Sequence, residues 1–125
     1  MDKTAIEKVL GMYFDASFES DPEKMDLVFR PEAHIYRMQE GRPGIVGSTR
    51  DEFITAIGSM PAEERASWKR SDTIHFIEFT SEVTAVAKVS LRVRNLLYSD
   101  ILNFVYDDGR WQVSAKLAYG APCRD

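Results

Sequence analysis

The chain has 125 residues, of which 44% are hydrophobic and 29% charged. That is the size and make-up of one folded domain, and it excludes a disordered chain. Its 20 acidic and 16 basic residues give a net charge of −4, so the broad basic footprint that nucleic-acid binding requires is missing.

Met1-Asp2-Lys3-Thr4 leads straight into a charged helical pattern, with no apolar leader core and no membrane-length apolar run anywhere. The expected location is the cytoplasm, and neither membrane nor nucleic acid is an expected partner. Residues 2–20 predict a first helix, because Ile6, Val9, Leu10, Tyr13 and Ser17 recur at helical spacing, and Phe14 and Phe18 widen the stripe. Asp21-Pro22 restarts a short second helix: aspartate caps well and proline suits the first helical position. Met25, Val28 and Phe29 are its apolar positions, and Pro31 stops it. Residues 33–38 then read as a strand, the glycine-rich 40–44 as a turn, and Ile45-Val46 as a short return strand. Ser48 with Asp51 and Thr49 with Glu52 both have capping-box spacing and open a third helix carrying Phe53, Ile57 and Met60, ended by Pro61. Residues 62–70 are a charged connection containing Trp68.

The rest is strand: 73–79, 84–94, 96–106 and 111–119. Lys88, Arg92 and Arg94, the one local basic group, alternate along a strand and read as a solvated or interface face. Asp107-Asp108-Gly109 is read as a three-residue hairpin loop. That loop pairs Tyr106 with Arg110 and, counting back, sets Asp100 opposite Lys116 on one face with Leu102, Phe104, Gln112 and Ser114. The other face then carries Ile101, Val105, Trp111, Val113 and Leu117, an apolar surface that the helices do not cover and that predicts a homodimer. Cys123 is the single cysteine, which rules out an internal disulfide and fits a reducing compartment. No metal-ligand spacing, phosphate loop or nucleophile motif is recognisable, so no metal and no cofactor are expected. The whole chain, 1–125, thus predicts one α+β domain with three N-terminal helices on a curved, mostly antiparallel sheet.

This order resembles the nuclear transport factor 2-like superfamily, a cystatin-like cone with an internal pocket that ketosteroid isomerase and small polyketide cyclases also use. The resemblance is carried by Tyr13-Phe14, Asp21, Phe29-Arg30-Pro31-Glu32-Ala33, Gly47, Ala85-Val86-Ala87-Lys88-Val89, Asp100-Ile101-Leu102, Asp108-Gly109-Arg110-Trp111 and Lys116. The final hairpin is most similar to the subgroup described as putative lumazine-binding. The resemblance implies that Tyr13 occupies the place of the isomerase's oxyanion donor. It also puts Arg37 where the isomerase keeps its aspartate base, and Leu102 near the second acid. Arginine cannot abstract a proton at working pH, so the resemblance itself excludes ketosteroid isomerase activity.

Each candidate residue has a structural reading beside a functional one. Asp100 and Lys116 are either a cross-strand ion pair or part of the pocket face. Tyr13 is either a core tyrosine or a donor to a ligand, and Arg37 either a solvated strand-end arginine or a clamp for an anion. His34 and Tyr36 lie across the strand from Ile35 and Arg37, and no acid can be set beside His34 or His75. The leading expectation is a small-molecule-binding domain whose pocket is lined by Tyr13, Arg37, Asp100, Leu102, Phe104 and Lys116, with an acidic ligand. Two alternatives stay open: a cyclase- or isomerase-like acid–base enzyme, with Asp100 and Tyr13 as catalytic candidates, and a protein-interaction domain with a filled cavity.

Overall fold

A computed structural model describes residues 2–61 and 68–124. The chain runs α1 (Thr4–Glu19), α2 (Pro22–Val28), β1 (Phe29–Gln39), β2 (Arg42–Thr49), α3 (Arg50–Gly58), β3 (Asp72–Phe79), β4 (Thr84–Val93), β5 (Leu96–Asp107) and β6 (Arg110–Pro122). The strands form one sheet in the order β2-β1-β6-β5-β4-β3, with β1 parallel to β6 and every other pair antiparallel. The three helices lie on one face of this open sheet, giving the expected α+β architecture of a cystatin-like cone.

The helix boundaries follow the caps. Asp21 accepts hydrogen bonds from the amides of Glu23 and Lys24 and opens α2. Thr49 and Glu52 form the reciprocal box that opens α3, so of the two spacings in the sequence the second is used. α1 ends at Ser20, whose left-handed φ of 56° turns the chain sharply into α2. Of the 62–70 connection, residues 62–67 lie outside the described residues; Trp68 packs edge-on to Phe18 at 6.4 Å.

Three places in the sheet differ from expectation. β2 runs from Arg42 to Thr49, where the sequence reading had a turn over 40–44 and a short strand at Ile45-Val46. β1 begins at Phe29 and runs through Pro31, where the sequence reading began it at residue 33. Its register with β6 shifts between Phe29 and His34, and this irregularity accommodates a residue with no N–H to give to the ladder. The last hairpin turns on two residues, Asp108 and Gly109, both at positive φ (52° and 79°), with Asp107 opposite Arg110. Such a turn matches the twist of the strands it joins. The three-residue loop was therefore wrong by one position. Further along, Asn103 pairs with Ala115 and Phe104 with Val113, so Ser114 is an extra residue, a β-bulge. Lys116 consequently faces Leu102, and Asp100 faces Ala118. The two single-residue errors add to two, so Asp100 and Lys116 still share a face, as diagonal neighbours. Trp111 and Val113, expected on the opposite face, are on this one. Val113 is buried in the core, and Trp111 packs against Phe79 and Tyr106. Gln112 and Ser114 leave it.

The core lies between helices and sheet. Ile6, Leu10, Met25, Val28, Phe29, Val89, Leu102 and Phe104 are almost completely buried. Each large apolar side chain in this layer contributes about 1.5–3 kcal/mol. Phe29 links the layers, with its ring 6.0 Å from Tyr13 and 5.4 Å from Phe53.

Candidate functional site

Three polar side chains are buried together in this apolar layer. Tyr13 faces the sheet because Ile6, Leu10, Tyr13 and Ser17 form one stripe of α1. Asp100 on β5 and Lys116 on β6 point up from the sheet to meet it. The Tyr13 hydroxyl donates to Asp100 Oδ2 at 2.5 Å, and Lys116 Nζ donates to the Tyr13 oxygen at 2.7 Å. Lys116 Nζ stands 3.9 Å from Asp100 Oδ2, so Tyr13 bridges most of the ion pair. The ammonium also lies over the Phe53 ring at 4.3 Å, in the range of a cation–π contact. Asp100 Oδ1 is buried with no hydrogen-bond partner among the described residues.

Burial sets the electrostatics. Loss of solvent lifts the Asp100 carboxyl above the usual aspartate range, and Lys116 and Tyr13 only partly offset it. Loss of solvent likewise holds the Lys116 ammonium below the usual lysine range; Asp100 opposes this and Arg37 adds to it. Burial, then the Asp100 charge, pushes the Tyr13 phenol well above its ordinary value, so it stays a neutral donor. Both members of the ion pair are thus drawn toward their neutral forms.

Beside the three groups is a cavity of about 170 Å³. Tyr13 and Ser17 of α1, Phe53 of α3, Ile35 and Arg37 of β1, and Lys116 of β6 are on its wall. Ile35 pairs with Lys116 and Arg37 with Ala118, which puts the Ile35–Arg37 side of β1 on the inner face. Arg37 is exposed and has no hydrogen bond or ion pair among the described residues. The cavity wall therefore carries both an unpartnered guanidinium and a buried amine.

Of the six residues expected to line a pocket, Tyr13, Arg37 and Lys116 meet at this cavity. Asp100 lies behind Tyr13 and Lys116, while Leu102 and Phe104 are packed in the core instead of on the cavity wall. His34 is exposed on the outer face, and His75 is exposed and bonded to Ser90 Oγ at 2.6 Å. Sequence reasoning missed Phe53, Ile35 and Tyr98, which also stand on the wall. The apolar stripe of α3 was a signal for Phe53. Nothing in the sequence singled out Tyr98, whose place depends on the close approach of its ring to Gly120. Among the described residues no group of His, Cys, Asp or Glu could hold a metal ion, and no helix is long and apolar enough to cross a membrane.

The profile of a family described as "Putative lumazine-binding" matches residues 1–119. No curated protein matches the chain. Among solved structures, an NTF2-like protein of unknown function from Shewanella baltica superposes with a TM-score of 0.82 at 20% identity, covering 96% of this chain and 94% of its own. Another, from Silicibacter pomeroyi, gives 0.80 at 18% identity, covering 92% of each chain. A ketosteroid isomerase-like protein from Erwinia carotovora atroseptica gives 0.67 at 15% identity, covering 94% of each. These likenesses establish the NTF2-like fold.

Proposed function

Since the chain belongs to the family described as putative lumazine-binding, we propose that it binds a small acidic molecule in the cavity between α1, α3 and the sheet. The single observation that carries this reading is Arg37, a guanidinium on the cavity wall with no partner of its own among the described residues. A guanidinium at the edge of an apolar chamber binds a carboxylate or enolate through paired, charge-assisted hydrogen bonds. The cavity suits a small ligand: an apolar void of about 150 Å³ accepts benzene, whereas drug-sized ligands take roughly 300–1,000 Å³. Ile35, Phe53 and Ile57 supply apolar wall, and Tyr13 and Lys116 add polar groups to it. The test is a thermal-shift panel of small carboxylic acids, each paired with its neutral amide, with lumazine included because the family description nominates it. Acids should stabilise the protein more than their amides. Equal shifts within every pair would refute the acidic-ligand reading.

A second copy of the chain is the proposed partner. Tyr36, Met38, Leu117 and Tyr119 are each 41–50% exposed on the sheet face away from the helices. They are neighbours, since Tyr36 pairs with Leu117 and Met38 with Tyr119. These residues replace Trp111 and Val113 as the apolar surface behind the dimer expectation. Sedimentation at micromolar concentration should give a dimer that Leu117→Lys converts to monomer; a monomeric native protein would contradict it.

A further inference from the structure

We infer that Lys116 is a carbonyl-capturing amine, which condenses reversibly with a small oxo acid whose carboxylate is held by Arg37. The inference rests on the acidic-ligand reading of the same cavity and adds a covalent step to it.

The geometry that carries it is the direction of the hydrogen-bond chain. Lys116 Nζ donates to the Tyr13 oxygen at 2.7 Å, and the Tyr13 hydroxyl donates to Asp100 Oδ2 at 2.5 Å. An ammonium cannot attack a carbonyl; its lone pair must first be freed. Moving one proton from Lys116 to the Tyr13 oxygen, and the Tyr13 proton on to Asp100, deprotonates the amine and leaves Tyr13 neutral as before; rotation about the Cε–Nζ bond then turns the lone pair from the Tyr13 hydroxyl to the cavity. Burial favours this transfer at both ends, since it draws the amine and the carboxyl toward their uncharged forms. Arg37 on β1 adds a second positive charge to the inner face and disfavours the ammonium further. An amine in an apolar site beside another cation is one of the ways in which lysine becomes a nucleophile. Lys116 is on the cavity wall and 9% exposed, so a small molecule in the cavity can reach it while bulk water is largely shut out.

The step balances. The Lys116 lone pair forms a C–N bond to the carbonyl carbon, the carbonyl π pair moves onto oxygen, and one of the amine's two protons passes to that oxygen, giving a neutral carbinolamine. The proton stored on Asp100 returns through Tyr13 to the hydroxyl of that adduct, which leaves as water. The product is an iminium on Lys116 beside an Asp100 carboxylate, the charge pattern of the original ion pair. No oxidant, reductant or cofactor takes part. An oxo acid carries both functions that this wall can take, a carboxylate for Arg37 and a carbonyl for Lys116.

The experiment treats the whole protein with pyruvate and cyanoborohydride, which fixes an iminium as a secondary amine, and maps the adduct by peptide mass spectrometry. Pyruvamide and lactate serve as neutral and carbonyl-free controls, and thermal shifts are recorded with all three. The adduct should form at Lys116 at least about tenfold faster than at any exposed lysine, and Tyr13→Phe should slow it about 100-fold by removing the proton relay. Labelling spread over surface lysines, or a pyruvate thermal shift with Lys116 unmodified, would overturn the inference and leave the acidic-ligand reading standing. A Lys116 adduct formed equally well with pyruvamide would support the amine's role and count against the acidic ligand. Neither a shift nor an adduct would overturn both.

Discussion

Tyr13 and Asp100, 87 positions apart in the chain, are joined by a buried hydrogen bond of 2.5 Å. The bond ties the first helix to the fifth strand and holds Lys116 at its other side. Tyr13→Phe keeps the ring and removes the hydroxyl, leaving a carboxylate oxygen and an ammonium in the core with one partner fewer. The expected loss is about 1–3 kcal/mol, read from urea unfolding. A loss below about 0.5 kcal/mol would show that the hydroxyl is not needed to satisfy the pair.

Stability should pass through a trough between pH 3.8 and 10.5 because of the buried pair. The folded state binds the Asp100 proton more tightly than the unfolded chain does, so stability falls as pH rises from the ordinary 3.8 to the raised folded value. Lys116 does the reverse: between its lowered folded value and the ordinary 10.5, the unfolded chain holds more protons and stability rises with pH. The double variant Asp100→Asn with Lys116→Met removes both limbs. Subtracting its pH–stability curve from that of the native protein should isolate the trough. At its floor the double variant should equal the native protein or exceed it by about 1–4 kcal/mol. A flat difference curve would show that the pair is not desolvated as described.

Gly120 and Tyr98 are predicted to be coupled. A Cβ added at Gly120 would stand 2.7 Å from the Tyr98 ring, which is also on the cavity wall. Gly120→Ala should cost about 1–3 kcal/mol and change ligand shifts by moving the ring. In a Tyr98→Ala background the same substitution should cost at least about 1 kcal/mol less. Additive losses would mean that the glycine is needed for some other reason.

The tight β5–β6 turn gives a local prediction. Asp108 and Gly109 both adopt positive φ. Asp108→Gly should be neutral or slightly stabilising, while Gly109→Val should lose about 1–2 kcal/mol by thermal unfolding, since a β-branched residue resists that conformation. Equal effects of the two substitutions would argue against a two-residue turn.

Much of this architecture was legible in the sequence because it depends on local rules. The stripe through Ile6, Leu10 and Tyr13 set the buried face of α1, and Asp21 and Thr49 marked helix starts through their own side chains. Period-two alternation in Ala85, Ala87 and Val89 set the inner face of β4. The register of the last hairpin was not legible. An Asp-Asp-Gly turn accepts either two or three loop residues, and the bulge at Ser114 depends on pairing with two neighbouring strands. The two errors cancelled for Lys116, which stayed on the face of Asp100, and did not cancel for Trp111 and Val113. Tyr13 and Arg37 could be named through the family resemblance, and Lys116 through its hairpin register against Asp100; which face of β1 lines the pocket was not legible. Ile35 and Tyr98, ordinary residues for a strand, carried no such signal.

The most direct measurement of the central claim is calorimetric titration of a matched acid and amide against the native protein and Arg37→Met. Arg37 has no hydrogen-bond or ion-pair partner among the described residues, so its replacement should change stability by less than about 0.5 kcal/mol. A charge-assisted contact of about 1.5–3 kcal/mol predicts that the native protein prefers the acid by roughly ten- to 150-fold. That preference should collapse toward unity in Arg37→Met with the amide affinity unchanged. An acid preference that survives the substitution, or one that is absent from the native protein, would contradict the assignment of Arg37 as the group that selects the ligand.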